Sequence, residues 1–350
     1  MTEPTLLTII LNYRTADMTL KSAEAALTAM EGISGALVIV DNDSGDGSFE
    51  RLQAAAQNRG WVENDHVRVL QAGRNGGFGA GNNVGIQAGL PDGTDPDLYY
   101  ILNSDAFPDR QAIRRLISEL DDHPSAGLVG SYICGEVGDP HLTAFRFPSI
   151  LGELEGAARF GPVSRLLRNF IVPLPIPAKT RRVDWLAGAS MMIRRSVLDQ
   201  IGSFDEQFFL YFEETDLCLR AKRAGWETRY VRDSKVVHIG SVSTGMKTWR
   251  RMPEYWFDSR LHYFNKNHGK TYAAAATFAL VLGGLILRVR KLVQRKSGGD
   301  PPYFLRDLVR HSIRNAFRSA PKILHLPQAK ARLGPRLKNS NLQPVDRRNP

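Results

Sequence analysis

The stretch that decides the fold runs from residue 5 to residue 44 and reads TLLTIILNYRTADMTLKSAEAALTAMEGISGALVIVDNDS. Apolar runs rich in β-branched residues lie at Thr5–Asn12 and Leu37–Asp41, and the Ala-rich segment Asp17–Met30 lies between them. Such runs predict buried strands, and the segment between them predicts a helix with Thr15 as its N-cap. The stretch therefore predicts a β-α-β unit with parallel strands.

The same alternation continues over the first 130 residues. Further strands are predicted at Val67–Leu70, Leu98–Asn103 and Gly127–Tyr132, and a helix that begins at a proline is predicted at Pro108–Leu120. This order predicts an α/β protein with a doubly wound, mostly parallel sheet and helices on both faces. Ligands of such sheets bind beyond the carboxyl ends of the strands, so we expect the chemistry in the residues that follow each strand.

Polar residues follow each of the first four predicted strands. They are Asn12-Tyr13-Arg14, Asp41-Asn42-Asp43-Ser44, Arg74-Asn75-Gly76-Gly77-Phe78 and Asn103-Ser104-Asp105. Asn, Asp, Ser and Gly suit turns, so no single one of these strand ends indicates a site. Four ends that face one crevice weaken the turn explanation, and they leave a nucleotide site and plain turns as equal alternatives.

A glycine-rich segment, GGFGAGNNVG at residues 76–85, follows the third strand. It resembles a dinucleotide-binding fingerprint, with Asp105 twenty residues further on as a ribose-binding acid. This interpretation predicts an NAD-dependent oxidoreductase, which is the alternative function. Two features count against it: the fingerprint normally follows the first strand, and the spacer Gln71–Asn75 separates the third strand from the glycines.

Three acids follow an aromatic run in the segment FDEQFFLYFEETDLCLRAKRAGW at residues 204–226. Glu213, Glu214 and Asp216 are predicted to open a helix, where acids ordinarily only complement the helix dipole. Aromatic neighbours remove water from a carboxylate and raise its pKa toward the value that a general base needs. The segment is therefore a candidate for acid–base chemistry.

Seven segments in a fixed order carry a resemblance to a known family. They are LNYR (11–14), VDNDSGDGS (40–48), RNGGFGAGNNVGI (74–86), LNSDA (102–106), GASMMIRR (188–195), the 204–226 segment and VVHIGSVST (236–244). The chain resembles the inverting glycosyltransferases of family 2, which have the GT-A fold, and among them the rhamnosyltransferase-like members of bacterial polysaccharide assembly. The resemblance extends from about Leu6 to about Ser243.

The resemblance implies a nucleotide pocket, a metal site and a loop beside the donor and acceptor. The residues implied for the pocket are Asn12, Tyr13, Asp41, Asn42, Asn75, Asn103 and Ser104, and those for the loop are Trp185, Gly188 and Ala189. LNSDA is the counterpart of the metal-binding DxD segment, so Asp105 is expected to hold a divalent metal, Mg²⁺ or Mn²⁺, with His238 as a second ligand. Asn103 stands where the first aspartate is expected, and an amide is a poorer ligand than a carboxylate for a hard cation.

The implied chemistry is a single displacement that inverts the anomeric carbon. The sugar, L-rhamnose by the subgroup, moves from a dTDP- or UDP-linked donor to a lipid-linked or polysaccharide acceptor. The resemblance makes Glu214 the catalytic base and Glu213 and Asp216 supporting acids, with Asp216 as the competing candidate for the base. A glycosidase also uses two carboxylates, but it needs water and no nucleotide pocket.

The chain is expected to divide into a nucleotide-sugar-binding half at 1–125, an acceptor and catalytic half of the same domain at 126–268, membrane-associating helices at 269–326 and a disordered basic tail at 327–350. Residues 272–287 form an uncharged run that is shorter than the roughly 20 residues of a membrane span. A buried helix and a helix lying in an anionic leaflet are the alternatives for this run. An amphipathic basic helix is predicted at Tyr303–Ile323.

The positive charge lies at one end of the chain. The formal net charge is +10, and residues 288–350 hold 16 Lys and Arg against 3 Asp and Glu, which leaves 30 against 33 for the rest. A basic tail behind a near-neutral body predicts an anionic membrane surface as partner, because a nucleic-acid-binding protein would carry interleaved aromatic residues or a motif. Two cysteines indicate a reducing compartment, and the first residues read as a strand and not as a signal peptide. We therefore expect a cytoplasmic protein, peripheral on the inner face of the cell membrane.

Overall fold

The computed structural model describes residues 3–63, 66–240, 250–295 and 301–316. The strands are β1 Leu6–Asn12, β2 Gly35–Asp41, β3 Val67–Gln71, β4 Leu98–Asn103, β5 Ala106–Pro108, β6 Ala126–Cys134, β7 Ala144–Phe145, β8 Arg181–Val183, β9 Trp185–Leu186, β10 Ser190–Arg194 and β11 Glu227–His238. The helices are α1 Ala16–Ala29, α2 Ser48–Asn58, α3 Gly77–Ala88, α4 Ala112–Asp122, α5 Ile150–Ala158, α6 Gly161–Leu166, α7 Arg195–Ile201, α8 Glu213–Arg223, α9 Glu254–His268, α10 Lys270–Gln294 and α11 Phe304–Ala316. A 3-10 turn lies at Arg168–Phe170.

One large sheet, of nine strands within the described residues, organises the fold. Its order is β3-β2-β1-β4-β10-β6-β11-β5, with β8 paired along β11. Strands β1 to β4 are mutually parallel, whereas β10 runs antiparallel to both of its neighbours, β4 and β6. The predicted α/β fold with a mostly parallel sheet is confirmed, and the antiparallel strand in its middle is a feature that the alternation of strands and helices did not predict.

The register of the central strands places their polar ends side by side. Asn12 pairs with Asp41 across β1 and β2, and Leu11 pairs with Asn103 across β1 and β4. Since parallel strands end at the same edge, the residues that follow β1, β2 and β4 face one crevice. The crevice expected from the sequence is therefore present.

The sheet is buried on both faces. Alternate residues of β1 point to opposite sides, so Leu6 and Ile10 belong to one apolar cluster while Leu7 and Ile9 belong to the other. The Ala-rich face of α1 packs into the first cluster, where Ala23 and Ala26 are fully buried. Burial on both faces explains why the strands are continuous apolar runs rather than alternating ones.

Two local predictions are corrected. The helix expected at Pro108–Leu120 begins at Ala112, because Pro108 instead ends β5 and pairs with Val236 of β11. Thr15 occupies the N-cap position of α1, but its hydroxyl contacts Asn12 Oδ1 and Ser104 Oγ, both at 3.3 Å, and not a helix amide. The side chain is therefore used to join two strand ends.

Helix α10 contains the uncharged run and extends beyond it to 25 residues. One side packs against α5 and α9 through small residues, and a Cβ added to Gly283 would lie 2.5 Å from the carbonyl oxygen of Leu154. The other side exposes Phe278, Leu282 and Leu285. The helix is long and apolar enough to cross a membrane by length and composition, yet 39% of its most apolar window is buried.

The chain divides into two units, Met1–Ser312 and Ile313–Pro350. Of the second unit the structure describes residues 313–316, the last turn of α11. The remainder of the helix predicted at Tyr303–Ile323, the tail at 327–350 and residues 241–244 of the VVHIGSVST segment lie outside the described residues.

Candidate active site

A cavity of about 680 Å³ opens at the carboxyl ends of the central strands. The residues predicted for the site that line it are Tyr13, Asn42, Asn75, Asn103, Ser104, Asp105, Gly188, Ala189, Glu213, Glu214 and His238. They come from segments up to 225 residues apart, between Tyr13 and His238, and the sheet brings them together. Asn12, Asp41, Trp185 and Asp216 are not among the lining residues.

Asn12 and Asp41 support the cavity from behind its wall. Both side chains are fully buried, and Asn12 Nδ2 donates to Asp41 Oδ1 at 2.7 Å. Ser44 adds a hydroxyl bond to Asp41 at 2.5 Å and a backbone amide bond at 3.1 Å. These hydrogen bonds hold both residues behind the cavity wall, and their part in a nucleotide pocket stays a prediction.

Asn42, the residue after Asp41, does line the cavity. Its Nδ2 donates to Asn75 Oδ1 at 3.0 Å and to the carbonyl oxygen of Gly77 at 3.2 Å. Asn75 Oδ1 also accepts from the Gly77 amide at 3.1 Å. These bonds fix the end of β2 against the start of α3, so the polar wall of the cavity is built before a ligand arrives.

Asp105 and His238 meet at the cavity wall. His238 Nε2 lies 3.0 Å from Asp105 Oδ1, and Asn103 Nδ2 lies 3.3 Å from the same nitrogen. The Gly240 amide donates to Asp105 Oδ2 at 3.1 Å. Burial raises the pKa of Asp105, but the hydrogen bond and charge of His238 outweigh it and hold that pKa below its usual value. Asp105 is therefore ionised at neutral pH.

Sequence reasoning missed His141, which also lines the cavity. Its ring lies edge-to-face with that of His238, with centroids 6.2 Å apart. The residue lies in the loop after β6, 97 positions before His238 and outside the seven quoted segments. No local spacing links the two histidines, so the sequence alone offers no signal for their contact.

Glu213 and Glu214 begin α8 at the cavity. Burial raises the pKa of both carboxyls, and the charge of Glu214 raises that of Glu213 further. A backbone hydrogen bond at Gly188 opposes the shift at Glu214. One oxygen of each carboxyl, Oε2, is buried without a hydrogen-bond partner. Burial therefore raises the pKa of these carboxyls in the direction that the sequence predicts for this segment.

Asp216 points away from the cavity. Its carboxylate is fully buried and accepts from Arg220 Nε, Lys266 Nζ and Asn267 Nδ2, each at 2.8 Å. The fully buried carboxylate is already held by two cations and an amide, and it does not reach the cavity in which an acceptor hydroxyl could lie. The geometry thus separates the two candidate bases, because Glu214 lines the cavity and Asp216 does not.

Trp185 lies outside the cavity wall, although Gly188 and Ala189 of the same loop are part of it. Its ring stacks on Phe145, with centroids 4.1 Å apart, and its Nε1 donates to the carbonyl oxygen of Arg146 at 2.9 Å. These contacts hold the small β7–β9 sheet together. Trp185 therefore anchors the loop that contributes Gly188 and Ala189 to the cavity wall.

The glycine-rich segment serves packing. Gly77 has a φ of +88°, and a Cβ there would lie 1.8 Å from the carbonyl oxygen of Phe209. A Cβ at Gly81 or Gly85 would meet the side chains of Leu11 or Ile9 of β1 at 2.3 and 2.5 Å. The glycines let α3 approach the sheet and the loop before α8, which accounts for them without a dinucleotide.

Comparisons with known proteins agree with this geometry. A sequence model of the family described as "Glycosyltransferase like family 2" matches residues 4–274. The chain is 32% identical over 219 residues to an N-acetylglucosaminyl-diphospho-decaprenol L-rhamnosyltransferase of Mycobacterium tuberculosis, which covers 60% of this chain and 68% of that protein. It is 29% identical over 220 residues to a low-salt glycan biosynthesis hexosyltransferase of Haloferax volcanii, which covers 61% of each.

A solved structure is similar over most of the chain. It is a mannosyltransferase of Pyrobaculum calidifontis in complex with GDP-Man and Mn²⁺, with a TM-score of 0.54 at 14% identity, covering 91% of this chain and 88% of that one. The likeness confirms the expected GT-A fold. Neither the family model nor any of these three relatives supports the NAD-dependent oxidoreductase.

Proposed function

The chain belongs to glycosyltransferase-like family 2, and we propose that it transfers L-rhamnose from a dTDP- or UDP-linked donor to a lipid-linked acceptor with inversion at the anomeric carbon. The relative from Mycobacterium tuberculosis is named for L-rhamnosyl transfer to N-acetylglucosaminyl-diphospho-decaprenol, and this supports both sugar and acceptor class. The observation that carries the proposal is one cavity that holds Glu214, Asp105 and His238 together.

Glu214 is the base in this proposal. It removes the proton from the attacking hydroxyl as the oxygen bonds to the anomeric carbon and the bond to the diphosphate breaks. A carboxylate whose pKa is raised by burial is a stronger base than one in water. Asp216, with three donors on its oxygens, cannot replace it.

The residues at the other side of the cavity fit a divalent cation. Asp105 supplies an ionised carboxylate and His238 an imidazole nitrogen, and the two atoms meet in the wall. Oxygen and imidazole ligands suit Mn²⁺, and carboxylate suits Mg²⁺. The cation, when bound, neutralises the charge that grows on the leaving diphosphate. Asn103 and the Gly240 amide hold His238 and Asp105 in place.

Asn42 and Asn75 are the proposed contacts of the nucleotide, with Tyr13 and Ser104 beside them. All four line the cavity. The hydrogen bonds between Asn42, Asn75 and Gly77 keep the wall rigid, so binding does not need to order these side chains. Asn12 and Asp41 contribute indirectly, because they fix the strand ends from which this wall projects.

The proposed location is the inner face of the cell membrane, where a lipid-linked acceptor is available. Helix α10 exposes Phe278 at 69%, Leu285 at 48% and Val289 at 64%. Arg288 and Lys291 lie on the same helix, and anionic lipid attracts such basic residues. Since its other side packs on α5 and α9, the helix is proposed to lie in the interface rather than to span the bilayer.

A transfer assay tests the function. The purified protein is incubated with Mn²⁺, a synthetic N-acetylglucosaminyl-diphospho-lipid with a short prenyl chain, and either dTDP-L-rhamnose or UDP-linked sugars. Mass spectrometry is expected to show one deoxyhexose added to the lipid with the rhamnose donor. Transfer only from a UDP-hexose, or no transfer from any donor, contradicts the proposed donor sugar.

A further inference from the structure

The wall of the cavity combines polar and aromatic side chains. The polar ones include Asn42, Asn75, Asp105 and His238. The aromatic ones include Phe209, Tyr211 and Tyr255, which we call the aromatic platform. Phe209 and Tyr211 precede α8, whereas Tyr255 comes from the first turn of α9.

The ring of Tyr255 contacts both other rings of the aromatic platform. The ring centroids of Phe209 and Tyr255 are 5.4 Å apart, and those of Tyr211 and Tyr255 are 6.5 Å apart with an interplanar angle of 22°. All three side chains are partly exposed, and Phe209 keeps 38% of its surface accessible. The platform is thus a set of adjoining rings that presents aromatic surface to the cavity.

The backbone holds the platform in place from two sides. The Phe209 carbonyl accepts from the Phe78 amide of α3 at 2.9 Å, and the Leu210 carbonyl accepts from Ser259 Oγ of α9 at 3.0 Å. Tyr211 and Phe212 both have a left-handed backbone, with φ of 70° and 69°. Such conformations persist where the surroundings determine them, so the rings are positioned before a ligand binds.

The position of the platform relative to Glu214 indicates its ligand. Tyr211 is three residues before Glu214, so their backbones lie within about 11 Å of each other. The hydroxyl that attacks has to reach Glu214, and the ring that bears this hydroxyl therefore lies beside the residues just before α8. The aromatic platform contributes neutral rings and no cationic group to the cavity, so it suits a neutral ring and not a diphosphate.

We propose that Phe209, Tyr211 and Tyr255 bind the pyranose ring of the acceptor that carries the attacking hydroxyl. The inference rests on the proposed function. Aromatic faces pack against the apolar C–H face of a pyranose, and the tyrosine hydroxyls offer polar contacts at its edge. Apolar walls with a few polar groups are typical of small-ligand sites. The aromatic platform therefore holds the acceptor beside the base.

Kinetics of Tyr255 variants test the platform. The full chain is assayed with dTDP-L-rhamnose, Mn²⁺ and the N-acetylglucosaminyl-diphospho-lipid used above. Tyr255→Ala is expected to raise the KM for the lipid about tenfold, which is about 1.4 kcal/mol, with the KM for the donor unchanged. Tyr255→Phe keeps the ring and is expected to stay within about threefold of the wild type, because the stacking face remains.

Phe170→Ala is the control for the loss of an aromatic ring elsewhere on the protein. Phe170 is 40% exposed and does not line the cavity. This variant is expected to leave both KM values and kcat unchanged. If Tyr255→Ala raises the donor KM as much as the acceptor KM, or lowers kcat with the acceptor KM unchanged, the platform proposal is overturned.

A binding measurement separates this proposal from the proposed function. Saturation-transfer NMR with methyl N-acetyl-β-glucosaminide, in the presence of Mn²⁺ and dTDP, needs no transfer of rhamnose. Binding by the wild type and its loss in Tyr255→Ala support the platform even if the donor sugar is not rhamnose. No binding by the wild type, or equal binding by both proteins, overturns it.

Discussion

At the scale of single residues, the carboxylates Glu214 and Asp216 are two positions apart on α8 but lie in different surroundings. Glu214→Gln keeps the size of the side chain and removes the base, so kcat is expected to fall by a factor on the order of 10² to 10⁴ with little change in the donor KM. Steady-state transfer kinetics measure both parameters. Binding of dTDP by the same variant is the control, and it should match the wild type.

Asp216→Asn is the comparison for Glu214→Gln. It removes the charge that pairs with Arg220 and Lys266, so the melting temperature is expected to fall. The fraction that remains folded should still transfer sugar. If Asp216→Asn is fully folded but inactive while Glu214→Gln is active, Asp216 is the base and Glu214 is not.

A second residue-scale prediction concerns pH. Burial raises the pKa of Glu214, and the base works only when ionised, so activity is expected to disappear on the acid side at a pH above the ordinary glutamate value. The charge of Glu214 raises the pKa of Glu213 further, so Glu214 ionises first, beside a neutral Glu213. The acid limb of the kcat profile should therefore stay in place in Glu213→Gln, which replaces one neutral group by another. A limb that moves to lower pH in this variant would show that a charged Glu213 raises the pKa of Glu214.

A third residue-scale prediction concerns the cation. Asp105 is the one carboxylate of its segment in the proposed metal site, so Asp105→Asn is expected to lose the Mn²⁺-dependent part of dTDP binding in a calorimetric titration. His238→Ala should weaken binding less, because the carboxylate remains. If the wild type binds dTDP with equal affinity with and without Mn²⁺, no cation takes part in binding at the proposed site.

At the scale of elements, a buried arginine joins three helices. Arg260 of α9 is 2% exposed and donates to Glu153 of α5 at 2.8 and 2.6 Å, and to Thr277 of α10 at 3.1 Å. Removal of one partner leaves a buried charge, so Arg260→Ala is expected to destabilise the protein by about 3–5 kcal/mol in denaturant unfolding. Arg306→Ala, at a side chain that is 57% exposed, should cost under about 1 kcal/mol.

The sequence predicts elements best where the signal is local. The apolar runs predict the bounds of β1 to β4 to within two residues at each end, because a strand that is buried on both faces is apolar throughout. The direction of β10 and the packing of α10 on α5 depend on contacts between distant segments, and neither has a local pattern. Tyr255 was missed for the same reason, since it lies 44 positions after Tyr211 in the sequence.

At the scale of the whole molecule, membrane attachment is testable on the intact chain. Removal of α10 would also remove the partners of α5 and α9, so point changes on its exposed side are the sharper test. Phe278→Asp with Leu285→Asp is expected to reduce pelleting with phosphatidylglycerol vesicles severalfold, and high salt should weaken pelleting of the wild type. Val137→Asp, at a loop valine that is 92% exposed, is the control. Equal pelleting of all three proteins would place the membrane contact elsewhere.

The reversed direction of β10 has a consequence for how such enzymes diversify. A parallel strand meets the cavity with its last residue, but β10 meets it with its first, so Ala187, Gly188 and Ala189 arrive ahead of the strand. An insertion there lengthens the loop between β9 and β10, and the register of β1, β2 and β4 is untouched. The residues that this loop contributes to the cavity can therefore change in number or type while the strand ends at Asn42 and Asn103 keep their places.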